Sequence, residues 1–156
     1  MRLLFLFLGE FYMTIVPYLH KAQYYETDQM GIIHHSNYIR WFEEARVDYL
    51  EQVGMGYGEM ERHGISSPVL AVTCEYKSMT RFGETVRIAV WVAEYTGVKL
   101  RVAYRVEDAA TGQLRCTGES RHCFLNQAGR PVSLKRAAPQ YHETFLAMLQ
   151  AGQPAE

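Results

Sequence analysis

The sequence has few cysteines, no long apolar run and no excess of positive charge. Three cysteines among 156 residues cannot form a disulfide framework, and the spacing of Cys74, Cys116 and Cys123 matches no zinc motif. A reducing, cytoplasmic setting is therefore expected. Lys and Arg number 16 against 17 Asp and Glu, giving a formal charge of −1. General nucleic-acid-binding domains are basic, so nucleic acid is excluded as a partner.

The amino terminus carries a short apolar run at residues 3–8. A membrane span needs about 20 apolar residues, and no cleavage site with small residues follows the run, so no transmembrane segment is expected. We interpret residues 1–13 as an N-terminal extension ahead of a start at Met13, with a packed strand or a targeting segment as alternatives. Residues 14–150 are expected to form one domain, and 151–156 a flexible tail.

Five segments are strand-like: the first is rich in tyrosine, and the next three alternate apolar and polar residues with the period of two that is typical of strands with one buried face. These predicted strands are 18–27, 70–79, 85–95, 99–107 and 114–125. Short turns separate the last four strands, which predicts an antiparallel meander. The apolar periodicity also predicts helices over 37–53, 58–63 and 139–149.

The predicted architecture is α+β, with the long helix packed on one face of the sheet. One helix covers only one sheet face, so self-association is expected. Arg46 lies within the apolar face of this helix. A buried guanidinium requires a polar partner, so we expect a carboxylate beside Arg46 or access to water.

Asp28 lies between the first predicted strand and the long helix, with Gly31 between them. The first backbone N–H groups of a helix lack internal acceptors and stabilise negative charge, so a carbonyl oxygen bound there would be polarised. A carboxylate, these donors and a nearby histidine suit acyl transfer. Asp28 as a simple turn residue remains an alternative. A metal site formed by Asp28, His34 and His35 is a less favoured alternative, because adjacent histidines usually point apart.

The stretch from residue 24 to 46 resembles the signature of hotdog-fold acyl-CoA thioesterases of the 4-hydroxybenzoyl-CoA thioesterase type. It is most similar to the bacterial short-chain branch associated with the Tol–Pal envelope system. The residues that carry this resemblance are Tyr25, Asp28, Gly31, His35, Asn37, Tyr38, Phe42, Glu43, Ala45 and Arg46, followed by Tyr76, Arg81, Gly83 and Glu84. The similarity covers residues 16–132. His34 stands where the branch often has a tyrosine.

The resemblance implies a five-stranded antiparallel sheet wrapped around the long helix. It also implies homodimers with active sites at the subunit interface, or homotetramers built from them. Asp28 would be catalytic, either attacking the thioester carbonyl or activating water. The backbone N–H of His35 would hold the carbonyl oxygen, while its side chain orients the substrate or assists the leaving group. The substrate-binding residues implied by the same match are Tyr25, Gly31, Asn37 and Tyr38.

The expected substrate is an acyl-CoA, hydrolysed to a carboxylic acid and free coenzyme A. No metal or other cofactor is expected, because coenzyme A is part of the substrate. Acyl carrier protein and envelope-complex contacts are further candidate partners. The side chains expected around the acyl group are Trp41, Phe42, Met55 and aromatic residues of the strands. Those considered for the phosphates are Lys77, Arg81, Lys135 and Arg136.

Three other functions remain open at this stage. A related thioesterase branch carries its carboxylate on the long helix, which would use Glu43 or Glu44. A hotdog dehydratase would use a histidine and an acid. A non-catalytic protein that binds acyl thioesters or acts as a scaffold would need neither, because a shared fold does not imply activity.

Overall fold

The computed structural model describes residues 4–8 and 11–154. In chain order the strands are β1 (Leu4–Leu8), β2 (Phe11–Ile15), β3 (Tyr18–Lys21), β4 (Val69–Tyr76), β5 (Thr85–Tyr95), β6 (Lys99–Asp108) and β7 (Leu114–Cys123). The helices are α1 (Ser36–Gln52), α2 (Tyr57–Arg62), α3 (Leu134–Ala137) and α4 (Pro139–Ala151). The last five strands form one antiparallel sheet in the order β3-β5-β6-β7-β4, which confirms the α+β prediction.

The core lies between α1 and the inner face of this sheet. Alternate residues of β5 are buried, namely Val86, Ile88, Val90 and Val92. Helix α1 contacts β3, β4 and β5 through an apolar stripe spaced three and four residues apart. Its buried residues are Asn37, Tyr38, Trp41, Phe42, Ala45, Arg46, Tyr49 and Leu50. The predicted amphipathic helix is therefore confirmed, with its bounds shifted by one residue.

The position of β4 corrects the predicted meander. Only β5, β6 and β7 follow one another in the sheet, because β4 pairs with β7 at the opposite edge from β3. Residues 77–84 connect β4 to β5 across one end of the sheet. The connection at 77–84 forms one wall of the candidate site. The alternation of apolar residues identified the strands but carried no information on which strands pair.

The first predicted strand ends earlier than expected. β3 stops at Lys21, and residues 24–26 form a single 3₁₀ turn. The carboxylate of Glu26 accepts a hydrogen bond from the backbone N–H of Gln23 at 2.8 Å, and Gln23 opens the turn. This local side-chain bond replaces strand pairing and bends the chain towards α1.

The amino-terminal segment pairs with itself and packs on the last helix. β1 and β2 are antiparallel, Leu6 is fully buried, and β1 contacts α4. The interpretation of residues 1–13 as an extension stays a prediction, and residues 1–3 and 9–10 lie outside the described chain. The same holds for residues 155–156 of the predicted tail. Within the described residues, no helix is long and apolar enough to span a membrane.

Arg46 has a different environment from the one expected. It is buried, and its Nε and Nη1 donate hydrogen bonds to the phenol oxygens of Tyr57 at 3.1 Å and Tyr104 at 3.0 Å. The Tyr104 hydroxyl lies 2.6 Å from Ser120 Oγ, which in turn lies 2.7 Å from Nε2 of His122. A chain of neutral polar groups thus solvates the guanidinium in place of the predicted carboxylate.

Candidate active site

Asp28 begins a tight loop closed by its own backbone. Its N–H donates to the carbonyl of Ile32 at 2.9 Å, and its carbonyl accepts from Gly31 at 3.0 Å. Oδ1 of Asp28 accepts a hydrogen bond from the N–H of Met30 at 2.8 Å. Gly31 has φ 73°, in the left-handed region that favours glycine. The Asp-x-x-Gly spacing therefore has a local cause. No hydrogen bond to Oδ2 of Asp28 comes from the part of the chain that the structure describes, so this oxygen can accept one from a water or a substrate.

Glu26 joins this loop to the sheet and to α1. One of its carboxylate oxygens accepts from the indole Nε1 of Trp41 at 2.7 Å, and the other lies 3.0 Å from Nε2 of His20. Burial raises the pKa of Glu26, but hydrogen bonds from Gln23, His20 and Trp41 outweigh it and hold the pKa below its usual value. Glu26 is thus an ionised buried carboxylate, a role that the sequence did not suggest.

The start of α1 is fastened to the same loop. The side-chain amide of Asn37 donates to the carbonyl of Glu26 at 2.9 Å, and the N–H of His34 donates to that carbonyl at the same distance. His35 occupies the N-cap position with helical φ and ψ of −54° and −29°. Within the described chain, the backbone N–H of His35 has no acceptor. This free donor at a helix start is the kind that binds an oxyanion.

The connection between β4 and β5 forms the opposite wall. The Thr80 carbonyl accepts from the N–H of Ile33 at 2.8 Å, and the Thr80 hydroxyl accepts from the phenol of Tyr38 at 3.1 Å. From the end of β4, the phenol of Tyr76 donates to the carbonyl of His35 at 2.9 Å. The two loops and the helix start therefore hold one another in place.

Arg115 fixes this wall from the sheet. Its Nη1 donates to the carbonyl of Met79 at 2.6 Å, and its Nη2 contacts Asp108 at 2.9 Å and Glu84 at 3.1 Å. A backbone hydrogen bond from Thr111, together with Arg115, lowers the pKa of Asp108 to about 2. This ion pair is a structural element that the sequence analysis did not identify.

Between these walls lies an open cleft of about 480 Å³. Its lining residues are Asp28, Met30, Ile32, Ile33, His35, Tyr38, Tyr76, Lys77, Ser78 and Met79. Most of the lining is apolar or aromatic, with a carboxylate and a histidine among it. An arrangement of this kind can hold an apolar group and deliver a base to one polar atom of it.

The structure brings together three of the predicted site residues, Asp28, His35 and Tyr38, in this cleft. Asn37 is buried, with its amide bonded to backbone carbonyls, and Gly31 shapes the loop beside the cleft. Tyr25 is 81% exposed and does not line the cleft. The roles proposed for these residues stay predictions.

Other residues considered from the sequence lie outside the cleft. Glu43 and Glu44 are exposed on the far face of α1, and Glu44 accepts a hydrogen bond from the phenol of Tyr18 at 3.1 Å. The ring of His34 packs on that of His35, with 4.1 Å between centroids. The buried residues Trp41, Phe42 and Met55, expected around an acyl group, do not line the cleft.

Comparison with known proteins decides the family. A family model described as the thioesterase-like superfamily matches residues 23–149, which is most of the chain. The chain belongs to this superfamily. The thioesterase-like match and the similar solved structures confirm the predicted hotdog fold and the prediction of a thioester hydrolase.

Two relatives of this thioesterase-like chain are similar over most of their length. YneP of Bacillus subtilis, for which an acyl-CoA thioesterase activity is proposed, is 33% identical over 126 residues, which are 80% of this chain and 91% of YneP. The DHNA-CoA thioesterase from Staphylococcus aureus is 33% identical with a TM-score of 0.81, covering 90% of this chain and 97% of that one.

A more distant structure is Slr0204 of Synechocystis, a 1,4-dihydroxy-2-naphthoyl-CoA thioesterase. It has a TM-score of 0.75 and 12% identity, over 84% of this chain and 95% of that one. At this identity the similarity supports the fold alone.

Proposed function

We propose that the protein is an acyl-CoA thioesterase in which Asp28 is the catalytic carboxylate and the backbone N–H of His35 binds the thioester oxygen. One observation carries the proposal: Asp28 lines the same cleft as His35, the N-cap of α1, whose backbone N–H has no acceptor among the described residues. The acyl-CoA activities named for YneP and for the Staphylococcus aureus protein support the choice of substrate.

The reaction needs one base and one oxyanion donor. Asp28 removes a proton from a water molecule, whose oxygen attacks the carbonyl carbon of the thioester. The carbonyl electron pair moves to its oxygen, which the N–H of His35 stabilises. Collapse of this intermediate breaks the C–S bond, and the coenzyme A thiolate takes the proton from Asp28. In the other course Asp28 itself attacks the carbonyl carbon and the C–S bond breaks, giving an anhydride and the coenzyme A thiolate. Water then opens the anhydride to the carboxylic acid and Asp28, and the thiolate takes up the released proton. Neither course requires a cofactor.

The cations nearest the cleft are proposed to bind the coenzyme A phosphates. Lys77 lines the cleft, and Arg81 belongs to the same exposed connection between β4 and β5. The N–H of Leu134 at the start of α3 donates to the carbonyl of Gly97, beyond the far end of β5. Lys135 and Arg136 of α3 therefore lie at the opposite end of the sheet, away from the proposed phosphate site.

One edge of the sheet supports the proposal of a homodimer. Among the described residues β4 pairs with β7 alone, which leaves its other edge unpaired over eight residues. Leu70 of this strand is 62% exposed, and Val69 and Tyr76 are exposed as well. An unpaired, partly apolar edge strand favours pairing with a second copy. We propose a dimer joined along β4, which would bring the partner close to Tyr76 and the cleft, with tetramers built from such dimers.

The finer assignments from the sequence remain proposals. These are the Tol–Pal-associated branch, contacts with an envelope complex or an acyl carrier protein, and a cytoplasmic location. The free state of Cys74, Cys116 and Cys123 is consistent with a reducing compartment.

Thiol release from short, long and aromatic acyl-CoAs tests the proposal. Asp28→Asn keeps the shape of the side chain. We expect kcat to fall by about 100-fold or more, which corresponds to a loss of about 2.7 kcal/mol in transition-state stabilisation. Glu43→Gln is the matched control on the far face of α1 and should retain activity. Activity that survives Asp28→Asn and falls with Glu43→Gln would move the carboxylate to the helix. Saturable acyl-CoA binding without thiol release would instead favour the non-catalytic binding protein.

A further inference from the structure

We propose that Phe42 closes the inner end of the cleft and restricts the enzyme to short or ring-shaped acyl groups. This inference rests on the proposed thioesterase function. It concerns the depth of the acyl site, which the residues lining the open cleft do not define.

Gly118 leaves a gap in the inner face of the sheet. It lies in the interior of β7, opposite Cys74 of β4 on one side and Tyr104 of β6 on the other. Both neighbouring strands are paired to it, so the position is central to the sheet. A glycine inside a central strand often marks a place where another group approaches the backbone closely.

The group that approaches Gly118 is the ring of Phe42. A Cβ atom added at Gly118 would overlap Cε2 and Cζ of Phe42 and the carbonyl oxygen of Thr73. The Phe42 ring also stacks on Tyr104, with 4.4 Å between centroids and 10° between planes. Phe42 is 1% exposed. The side chain therefore fills the space that the glycine provides, and leaves no room for a ligand there.

This filled space lies directly behind the wall of the cleft. Tyr38 and Tyr76 line the cleft and meet edge to face, with 5.2 Å between centroids. Phe42 is one helical turn after Tyr38 on the same face of α1, and Cys74 is two residues before Tyr76 on the same face of β4. An acyl chain that passed between Tyr38 and Tyr76 would thus meet Phe42 next.

A second barrier follows one turn further along α1. Arg46 donates to the phenol of Tyr104, and its guanidinium is buried. Placing an alkyl chain against a buried charge is costly. The space above Gly118 is therefore an apolar extension of the cleft, and Phe42 occupies it. Acyl groups that stay in the outer cleft are accepted, and longer alkyl chains are excluded.

The test measures kcat/KM for butyryl-, benzoyl-, hexanoyl-, decanoyl- and palmitoyl-CoA. Wild type should prefer the three smaller acyl groups. Phe42→Ala should raise the ratio of decanoyl to butyryl kcat/KM by about tenfold or more over wild type, because it opens the space above Gly118. Phe145→Ala is the matched control: Phe145 is an equally buried ring on α4, away from the cleft, so its loss should leave the ratio unchanged.

Phe42→Leu keeps more of the packing and serves if the alanine variant does not fold. It should shift the ratio in the same direction by a smaller factor. An unchanged ratio in a folded Phe42 variant, or a wild-type enzyme that accepts decanoyl-CoA as readily as butyryl-CoA, would overturn the inference while leaving the thioesterase function intact. If wild type releases no thiol at all, the proposed function fails. The ratio of the Kd values for decanoyl-CoA and butyryl-CoA, measured by calorimetry, then tests the limit on acyl length separately.

Discussion

The indole nitrogen of Trp41 lies 2.7 Å from Oε1 of Glu26, and this hydrogen bond joins α1 to the loop that carries Asp28. The carbonyl of the same Glu26 accepts hydrogen bonds from His34 and Asn37, immediately beside His35. Glu26 therefore sets the distance between the proposed base and the proposed oxyanion donor, although it does not line the cleft.

Replacing Glu26 by glutamine tests this positioning role. Glu26→Gln retains the shape but removes the charge that His20, Gln23 and Trp41 stabilise. We expect a loss of about 1–3 kcal/mol in the free energy of unfolding, because buried donors lose a charged acceptor. We also expect kcat to fall about tenfold with little change in KM, because geometry rather than binding is disturbed. Urea unfolding and steady-state kinetics measure the two effects, and an unchanged kcat would contradict the role.

Removing the hydroxyl of Tyr76 tests the contact with the start of α1. In Tyr76→Phe the ring still packs on Tyr38, but the bond to the carbonyl of His35 is lost. Because Tyr76 is 47% exposed, we expect less than about 1 kcal/mol of destabilisation. The His35 peptide loses one of its supports, so kcat should fall several-fold. A variant with wild-type kcat would show that the phenol has no part in orienting this peptide.

Stability should decrease in mild acid because of His122. Burial, and then the charge of Arg46, lowers the pKa of His122 from 6.5 to about 4. Between these values the unfolded chain binds a proton that the folded chain does not, so the free energy of unfolding falls as the pH falls. The loss reaches about 2 kcal/mol at pH 5.

Thermal or urea unfolding between pH 7 and 5 checks this decrease. His122→Gln should flatten the profile, whereas His63→Gln, which changes an exposed histidine, should leave it unchanged. Glu26 and Asp108 do not account for a decrease between pH 7 and 5. Because their pKa values are lowered in the folded chain, their contributions to the free energy of unfolding are lost only as the pH falls under 4.5 and 3.8. A profile that stays pH-dependent in His122→Gln would assign the effect to another group.

Arg115 should control the order of the loop between β4 and β5. Arg115→Met removes a buried cation from Asp108 and Glu84 and frees the carbonyl of Met79. Breaking a buried ion pair on one side typically costs about 3–5 kcal/mol. Hydrogen exchange should therefore speed up in residues 77–84 more than in α4, which is distant from Arg115. An equal change in exchange rate in the two segments would indicate that Arg115 does not hold the loop.

The long helix and most strands were predictable because each has a periodic apolar face. The loop at Asp28 was predictable because it is local, closed by Gly31 three residues later; the catalytic role of Asp28 stays a prediction. The role of Glu26 was not predictable, because it depends on His20 and Trp41, which reach it from separate elements. The order of the strands was missed for the same reason, since β4 and β7 are far apart in the chain.

The prediction of the residues around the acyl group is matched by the open cleft only in part, since Tyr76 lines it and Trp41, Phe42 and Met55 do not. Phe42 lies on the expected face of α1, but a helical pattern does not distinguish a side chain that lines a cavity from one that fills it. The glycine at position 118 was the relevant signal, and its meaning required knowledge of which residue faces it.

The residue that fills the gap above Gly118 belongs to a different element from the loop that holds Asp28. Under the proposed assignments, a single substitution at position 42 changes which acyl groups fit without altering the groups that carry out hydrolysis. Substrate preference in this lineage can then diverge through core substitutions, while the chemistry is inherited unchanged. Relatives with the same Asp-x-x-Gly loop should accordingly differ most in acyl preference where they differ at positions 42 and 118.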